Sequence, residues 1–354
     1  MAYNVNSFGK YYDGDNKQRI NLSSFALDVI NDDMTVFNNP KKTNFINRII
    51  VNYCFDADAS IHFALEKEKQ RLTTALSSLN EKEKNLALTD LLRCKEKELV
   101  NRAKSYESGE CCSFRLWQEV VDFLTEPASE CEEYRYYKKI GQYLKAIIEE
   151  YCAKPFAERE LIYFADKVNV IETAVREKRK ISVVTAGGDC YTVSPYGIFR
   201  DDKSLYNYLV GYSVKYGSDE PMRPMSMRIS AGNEFKLCSK RQTFSLNACE
   251  KNNLKALLKK RGVQYMVGEE EIIRVVLTET GVGFYNRQLY LRPTVTEIQN
   301  GNEYIFNCTP FQAEAYFVKF GKEAYVKEPE SLREKMKNKY LDAYNSYREK
   351  EHRV

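Results

Sequence analysis

The chain of 354 residues holds two histidines, His62 and His352. Both stand in highly charged stretches with helical patterning. Neither is preceded by an arginine with four to six residues between, the paired Arg–His spacing of one common RNase class. The glycine-rich, nucleophile-elbow and paired-histidine motifs GxGxxG, GxxxxGK[ST], GxSxG and HExxH are absent. Ten cysteines are scattered without a CxxC pair. Such spacing suits reduced, mostly buried thiols better than a disulfide framework or a zinc site. No metal or cofactor is expected. Composition leaves a carboxylate-only or lysine-based site open, but the reading it favours is a protein that is not an enzyme.

The chemistry the chain can offer is cationic and aromatic. Its net charge is +4, yet residues 176–261 carry seventeen Lys and Arg against eight Asp and Glu, a local +9. The remainder is therefore net acidic. Residues 1–56 carry six charges of each sign. A basic middle inside an acidic chain fits a polyanion partner, because the field depends on local charge; it fits a solvated lysine-rich surface as well.

Length bounds what must position these residues. At 354 residues and 43% hydrophobic composition, two to four soluble domains are expected. No run approaches the ~18 apolar residues of a membrane span, so no membrane partner is expected. The opening MAYNVNSFGKYYDGDNK lacks a charged-then-apolar signal pattern, which points to the cytoplasm.

Residues 17–23 alternate, with Ile20 and Leu22 on one face and Arg19, Asn21 and Ser23 on the other. That is a short half-buried strand. Ser23 or Ser24 can cap a helix through Ala26, Ile30 and Met34 that stops at Asn38-Asn39-Pro40. Lys41-Lys42-Thr43 opens a second helix with Phe45, Ile46, Ile49, Ile50 and Tyr53 along one side. Some forty residues cannot bury a core alone, so the unit is expected to pair with a copy of itself. These residues resemble the ribbon–helix–helix family. The resemblance implies that Arg19, Asn21 and Ser23 face base edges, that Lys41, Lys42 and Thr43 clamp a phosphate, and that Arg48 is structural. The plain alternative is a helical hairpin with a preceding loop.

Residues 57–154 read as charged amphipathic helices, with leucines 72, 76, 79 and 86 and breaks at Ser108-Gly109 and Thr125-Glu126-Pro127. Trp117 fits a core position, and the block a helical spacer.

From residue 155 a helix feeds the strand ISVVT, a Gly187-Gly188-Asp189 turn, the strand CYTVSPYGIFR and, after Asp201-Asp202-Lys203, SLYNYLVGYSVKY. Closely spaced strands suggest a small antiparallel barrel or strongly bent sheet. The stretch resembles a WYL domain, an SH3-like β-barrel. Its triplet stands here as Asn207-Tyr208-Leu209, flanked by Pro195-Tyr196-Gly197, Arg200, Gly211-Tyr212 and Arg228-Ile229. The resemblance implies a basic pocket for nucleic-acid-like ligands built from Tyr208, Arg200 and Arg228, with Ser194 and Tyr196. Asn207 replaces the family tryptophan and Met225 a family arginine, which implies an altered pocket. The tyrosines also suit ordinary strand packing, and Arg228 a salt bridge.

The tail alternates as strands, then reads as a helix, a strand and a closing helix. It resembles the C-terminal extension of WYL proteins at Gly321, Glu328-Pro329 and Leu332-Arg333, a module for dimerisation or ligand capture. The expected fold is α+β in four parts: 1–56 ribbon–helix–helix, 57–154 helical spacer, 155–262 WYL domain with its leading helix, and 263–354 extension. The combination closely resembles the WYL-domain accessory proteins of type VI-D CRISPR systems. That resemblance implies a homodimer that binds single-stranded RNA and enhances cleavage by the type VI-D effector nuclease without cleaving RNA itself. The alternative is a ligand-responsive regulator whose ribbon binds DNA. A third reading is a scaffold whose barrel meets only protein.

Overall fold

The computed structural model describes residues 16–107, 109–125, 133–201, 204–266, 268–290 and 292–351. The N-terminal segment before them, Ser108, Glu126-Pro127, Cys131, Asp202-Lys203 and His352 lie outside the described residues. Twelve α-helices and three antiparallel sheets occur among those described, an α+β fold. The chain forms two compact units, residues 1–169 and 170–354.

In the first unit, β1 (Lys17–Leu22) leads into α1 (Ser24–Val36) and α2 (Lys42–Tyr53). A charged hairpin follows, α3 (Ile61–Ala75) and α4 (Glu81–Ser105), then β2 (Glu110–Arg115), α5 (Gln118–Thr125), α6 (Ile140–Ala153) and α7 (Phe156–Tyr163). The strand β2 lies in a block expected to be wholly helical. Its partner is β1, antiparallel, with Arg19 opposite Ser113 and Ile20 opposite Cys112. The ribbon expected from two chains is thus closed within one chain.

The reason is a second strand–helix–helix run. β2, α5 and α6 repeat the order β1, α1, α2, and the packing repeats with it: α1 meets α6 as α5 meets α2, β1 meets α6 as β2 meets α2, and α2 and α6 pack together. The strand ends match too. Glu149 of α6 accepts the Ser23 backbone N–H at 2.6 Å, and Asn47 of α2 accepts that of Trp117 at 2.7 Å. Ile20, Leu22, Cys112, Phe114 and Leu116 are buried, as are Phe45 and Ile46 of α2 and Ile147 and Ile148 of α6, the helices that meet these strands. Gly109 makes the crossing possible, since a Cβ there would sit 2.3 Å from the Leu22 carbonyl oxygen. Trp117 is not core: it is 36% exposed at the start of α5.

The helix expected over 155–180 is two. It breaks at Phe164 between α7 and α8 (Ala165–Glu177), within which the two units divide. Stacked Phe37, Phe45 and Tyr163 rings and the buried Asp33–Arg159 pair at 2.7 Å fix α7 in the first unit. Arg48 is structural, donating to the Tyr163 carbonyl at 2.8 Å and pairing with Asp166.

The second unit opens with β3 (Ile181–Thr185), β4 (Cys190–Arg200), β5 (Asn207–Lys215), β6 (Arg223–Arg228) and β7 (Gly232–Leu237), in sheet order β6-β5-β4-β3-β7. The outer strands β6 and β7 are not paired with each other among the described residues, so the expected barrel is an open sheet. It is bent by a register shift between Pro195 and Gly197, opposite Gly211, where a Cβ would lie 2.3 Å from the Ser194 carbonyl oxygen. Next come α9 (Ala248–Arg261), β8 (Glu271–Leu277), α10 (Glu279–Arg287), β9 (Val295–Gln299), β10 (Glu303–Cys308), α11 (Pro310–Phe317), β11 (Ala324–Glu328) and α12 (Glu330–Glu351). The tail strands form a separate sheet, β11-β8-β10-β9, over a core of Ile273, Val275, Phe306, Phe317, Phe320, Leu332 and Met336.

No disulfide forms among the described cysteines. Cys54, Cys112, Cys152 and Cys308 are buried, whereas Cys94, Cys111 and Cys249 are exposed, fewer buried thiols than expected. No described helix is long and apolar enough to cross a membrane.

Candidate nucleic-acid interface

The solvent face of the ribbon carries Lys17, Arg19 and Asn21 from β1, and Cys111, Ser113 and Arg115 from β2. All six are exposed, and none is acidic. Lys17 stands directly opposite Arg115, with Arg19 the next outward residue of β1. The sequence segment 1–56 is neutral overall, but its strand cations Lys17 and Arg19 share this face with Arg115 from elsewhere in the chain.

Ser23 stands apart from this face. It follows the last strand residue as the N-cap of α1, its hydroxyl accepting from the Ala26 N–H at 3.1 Å and donating to Glu149 at 2.7 Å. Lys41 is the N-cap of α2, and Lys42 and Thr43 begin its first turn without a side-chain cap. The equivalent start of α6 follows Lys138, with Lys139 as N-cap, again without a side-chain cap.

The five residues expected of the WYL pocket do not converge. Register places Ser194, Tyr208 and Arg228 on one side of the sheet, since Tyr208 opposes both Phe199 and Arg228, and Ser194 opposes Tyr212. That side is filled. Tyr208, Val210, Tyr212, Leu254, Val263 and Met266 form a buried cluster, with Tyr196, Phe199, Tyr206, Leu257 and Leu258 packed against it. Tyr196 stacks on Phe199 with centroids 5.5 Å apart, and the Ser194 hydroxyl lies 3.6 Å from the Met222 sulfur. The rim is open: Arg228 is exposed, its guanidinium 4.7 Å from the Tyr206 ring centroid. Arg200 opposes Asn207, one residue on, and is exposed on the other face.

The helix that covers this cluster brings cations that motif reading missed. Asn247 and Glu250 form a reciprocal capping box at the start of α9. Asn253 donates to the Tyr212 hydroxyl at 3.1 Å, and Arg261 ties the far end to Glu270 at 2.9 Å. With Leu254, Leu257 and Leu258 turned inward, Lys251, Lys255 and Lys259 form an exposed row. Four-residue steps space them about 6 Å apart along the helix. Their spacing, KNNLKALLKK, was the available signal.

No protein-family profile and no curated protein matches the chain. Among solved structures it is similar over 65% of its length to proteasome accessory factor B/C (PafBC) of Arthrobacter aurescens, at 15% identity, a TM-score of 0.29 and 38% of that chain, too loose a superposition to carry an argument. It is also similar to a crystal structure described as that of a CRISPR Cas-related protein. There the TM-score is 0.71 at 22% identity, over 94% of each chain, so the two share their fold from end to end.

Proposed function

We propose that the protein is a non-catalytic accessory factor of a type VI-D CRISPR system that binds single-stranded RNA and enhances RNA cleavage by the effector nuclease. The observation that carries this reading is the fold shared over 94% of both chains with a CRISPR Cas-related protein. The exposed lysine row of α9 and the exposed Arg228 against the Tyr206 ring support the RNA part, since spaced cations and aromatic rings are what a single strand engages. The bent five-stranded sheet supports the WYL assignment.

The reading includes a homodimer. With the ribbon closed inside one chain, the surface that suits a second copy is on the C-terminal helix. Leu341, Tyr344 and Tyr347 of α12 and Tyr325 of β11 are exposed. They lie at and beyond a groove of about 530 Å³ that includes Met336 and Tyr340. A self-complementary apolar stripe is the usual material of a two-fold interface.

The test is a cleavage assay with the guide-loaded effector, labelled target RNA and a bystander RNA. Added protein should speed both cleavages, and alone should cleave neither. Unchanged rates at saturating protein would end this reading. A second reading, a regulator that binds duplex DNA, is favoured by the β1–β2 ribbon face, because a two-stranded ribbon fits the B-form major groove. Salt-resistant preference for duplex DNA over single-stranded RNA in fluorescence anisotropy would select it.

A further inference from the structure

The first unit contains a cavity of about 910 Å³ where α4 and the residues after it face the start of α6. Four of its lining residues are cations, Lys104, Arg135, Lys138 and Lys145, and none is acidic. The volume lies within the range of small-ligand sites. The carboxylates nearby do not line the cavity, and each is hydrogen-bonded within the fold, Glu133 by the His62 N–H at 2.9 Å. Glu150 accepts the Tyr53 hydroxyl at 2.5 Å and the Asp58 and Ala59 N–H groups at 3.0 and 2.7 Å. Asp58 itself pairs with Arg102 at 2.6 Å, and Glu96 is hydrogen-bonded by Tyr136. The Lys145 ammonium is held by two backbone carbonyls, those of Tyr106 at 3.3 Å and Glu107 at 2.6 Å, so it is positioned without being neutralised. Lys104 and Lys138 are exposed at the cavity edge.

Three tyrosines complete the lining, Tyr106, Tyr136 and Tyr137. The Tyr137 hydroxyl is committed to the Ala59 carbonyl at 2.6 Å. Burial first, then nearby carboxylates, pushes Tyr106 and Tyr136 up to about 12, so both stay neutral at physiological pH. Cations without lining acids call for an anion, and aromatic rings at the same wall call for a flat π-system. A nucleotide joins the two.

We propose that this cavity binds a nucleotide unit, its phosphate on Lys104 and Lys138 and its base against Tyr106 and Tyr136. The unit is either a free nucleotide or one residue of a single strand. The site is separate from the α9 surface and does not depend on the effector-enhancing role.

The experiment is isothermal titration of the full chain with adenosine 5′-monophosphate, adenosine, inorganic phosphate and a six-residue oligoadenylate. The monophosphate should bind at least tenfold more tightly than either adenosine or phosphate. Lys104→Ala with Lys138→Ala should weaken it at least tenfold, Tyr136→Leu should weaken it severalfold, and Lys138→Arg should retain it. Equal affinity for monophosphate and oligoadenylate identifies a free nucleotide. Tenfold tighter oligoadenylate binding, lost in the double lysine variant, identifies a strand residue. Binding of phosphate as tight as the monophosphate, binding unchanged in the double lysine variant, or no binding of either nucleotide probe would overturn the proposal. Both lysines are exposed, so the folded state of the variant is checked directly by its thermal transition.

Discussion

Arg228 and Arg200 sit on opposite faces of one sheet and so cannot share a ligand phosphate there. Arg228→Ala should weaken single-stranded RNA binding by about 1–3 kcal/mol, the scale of a charge-assisted contact. Tyr208→Phe should leave it unchanged, because Tyr208 is 6% exposed in the cluster under α9. Anisotropy titrations check both; a Tyr208→Phe loss equal to that of Arg228→Ala would return the buried ring to the interface. Replacing Lys251, Lys255 and Lys259 with serine should lower the slope of log affinity against log salt by about 2, since each phosphate contact on a single strand contributes about 0.7. The residue types of this surface were legible in the sequence. The covering of the Tyr208 face by α9 was not, because α9 lies some forty residues beyond the Tyr208 strand and no local pattern says that its leucines cover that face.

At the scale of elements, the two strand–helix junctions of the ribbon are held from across the pseudo-symmetric pair. Glu149 accepts both the N–H and the hydroxyl of Ser23, and Asn47 bridges the Arg115 carbonyl and the Trp117 N–H. Glu149→Ala and Asn47→Ala should each destabilise the first unit by about 1–3 kcal/mol, the cost of leaving such groups unpaired. Denaturant unfolding followed by Trp117 fluorescence reads both. Burial pulls Lys167 down to about 8, although neighbouring Asp166 opposes it. Between pH 8 and the ordinary lysine value the unfolded chain holds a proton that the folded chain has released, so stability rises with pH across that interval. Below pH 8 both states are charged and the contribution is constant. Lys167→Met should remove the rise; a rise that persists in the variant would assign it elsewhere. The sequence made β1, α1 and α2 readable through alternation and helical spacing. It hid β2, six residues of ECCSFR between charged helices, although Cys112, Phe114 and Leu116 alternate just as Ile20 and Leu22 do. The break at Phe164 left no glycine or proline to mark it.

For the whole molecule, the closed ribbon changes what a second copy contributes. In a two-chain ribbon each half lacks a core until it meets its partner, so stability falls with dilution by mass action. Here β1 and β2 belong to one chain, and Ile20, Leu22, Cys112 and Phe114 are already buried in it. The first unit should therefore melt at the same temperature across a roughly hundredfold dilution. Dimerisation through α12 should be lost in a Leu341→Glu, Tyr344→Glu variant without lowering that transition, because both side chains are exposed at 47% and 59%. Light scattering gives the mass, and Trp117 fluorescence gives the melting of the first unit. A first-unit transition that drops on dilution, or that drops when the α12 variant becomes monomeric, would show that the second copy completes the ribbon after all. A constant transition in a monomeric variant would instead leave each protomer with a complete basic ribbon face. A dimer would then carry two such faces, and a long nucleic acid that spans both would be held more tightly than by either alone, without any new contact.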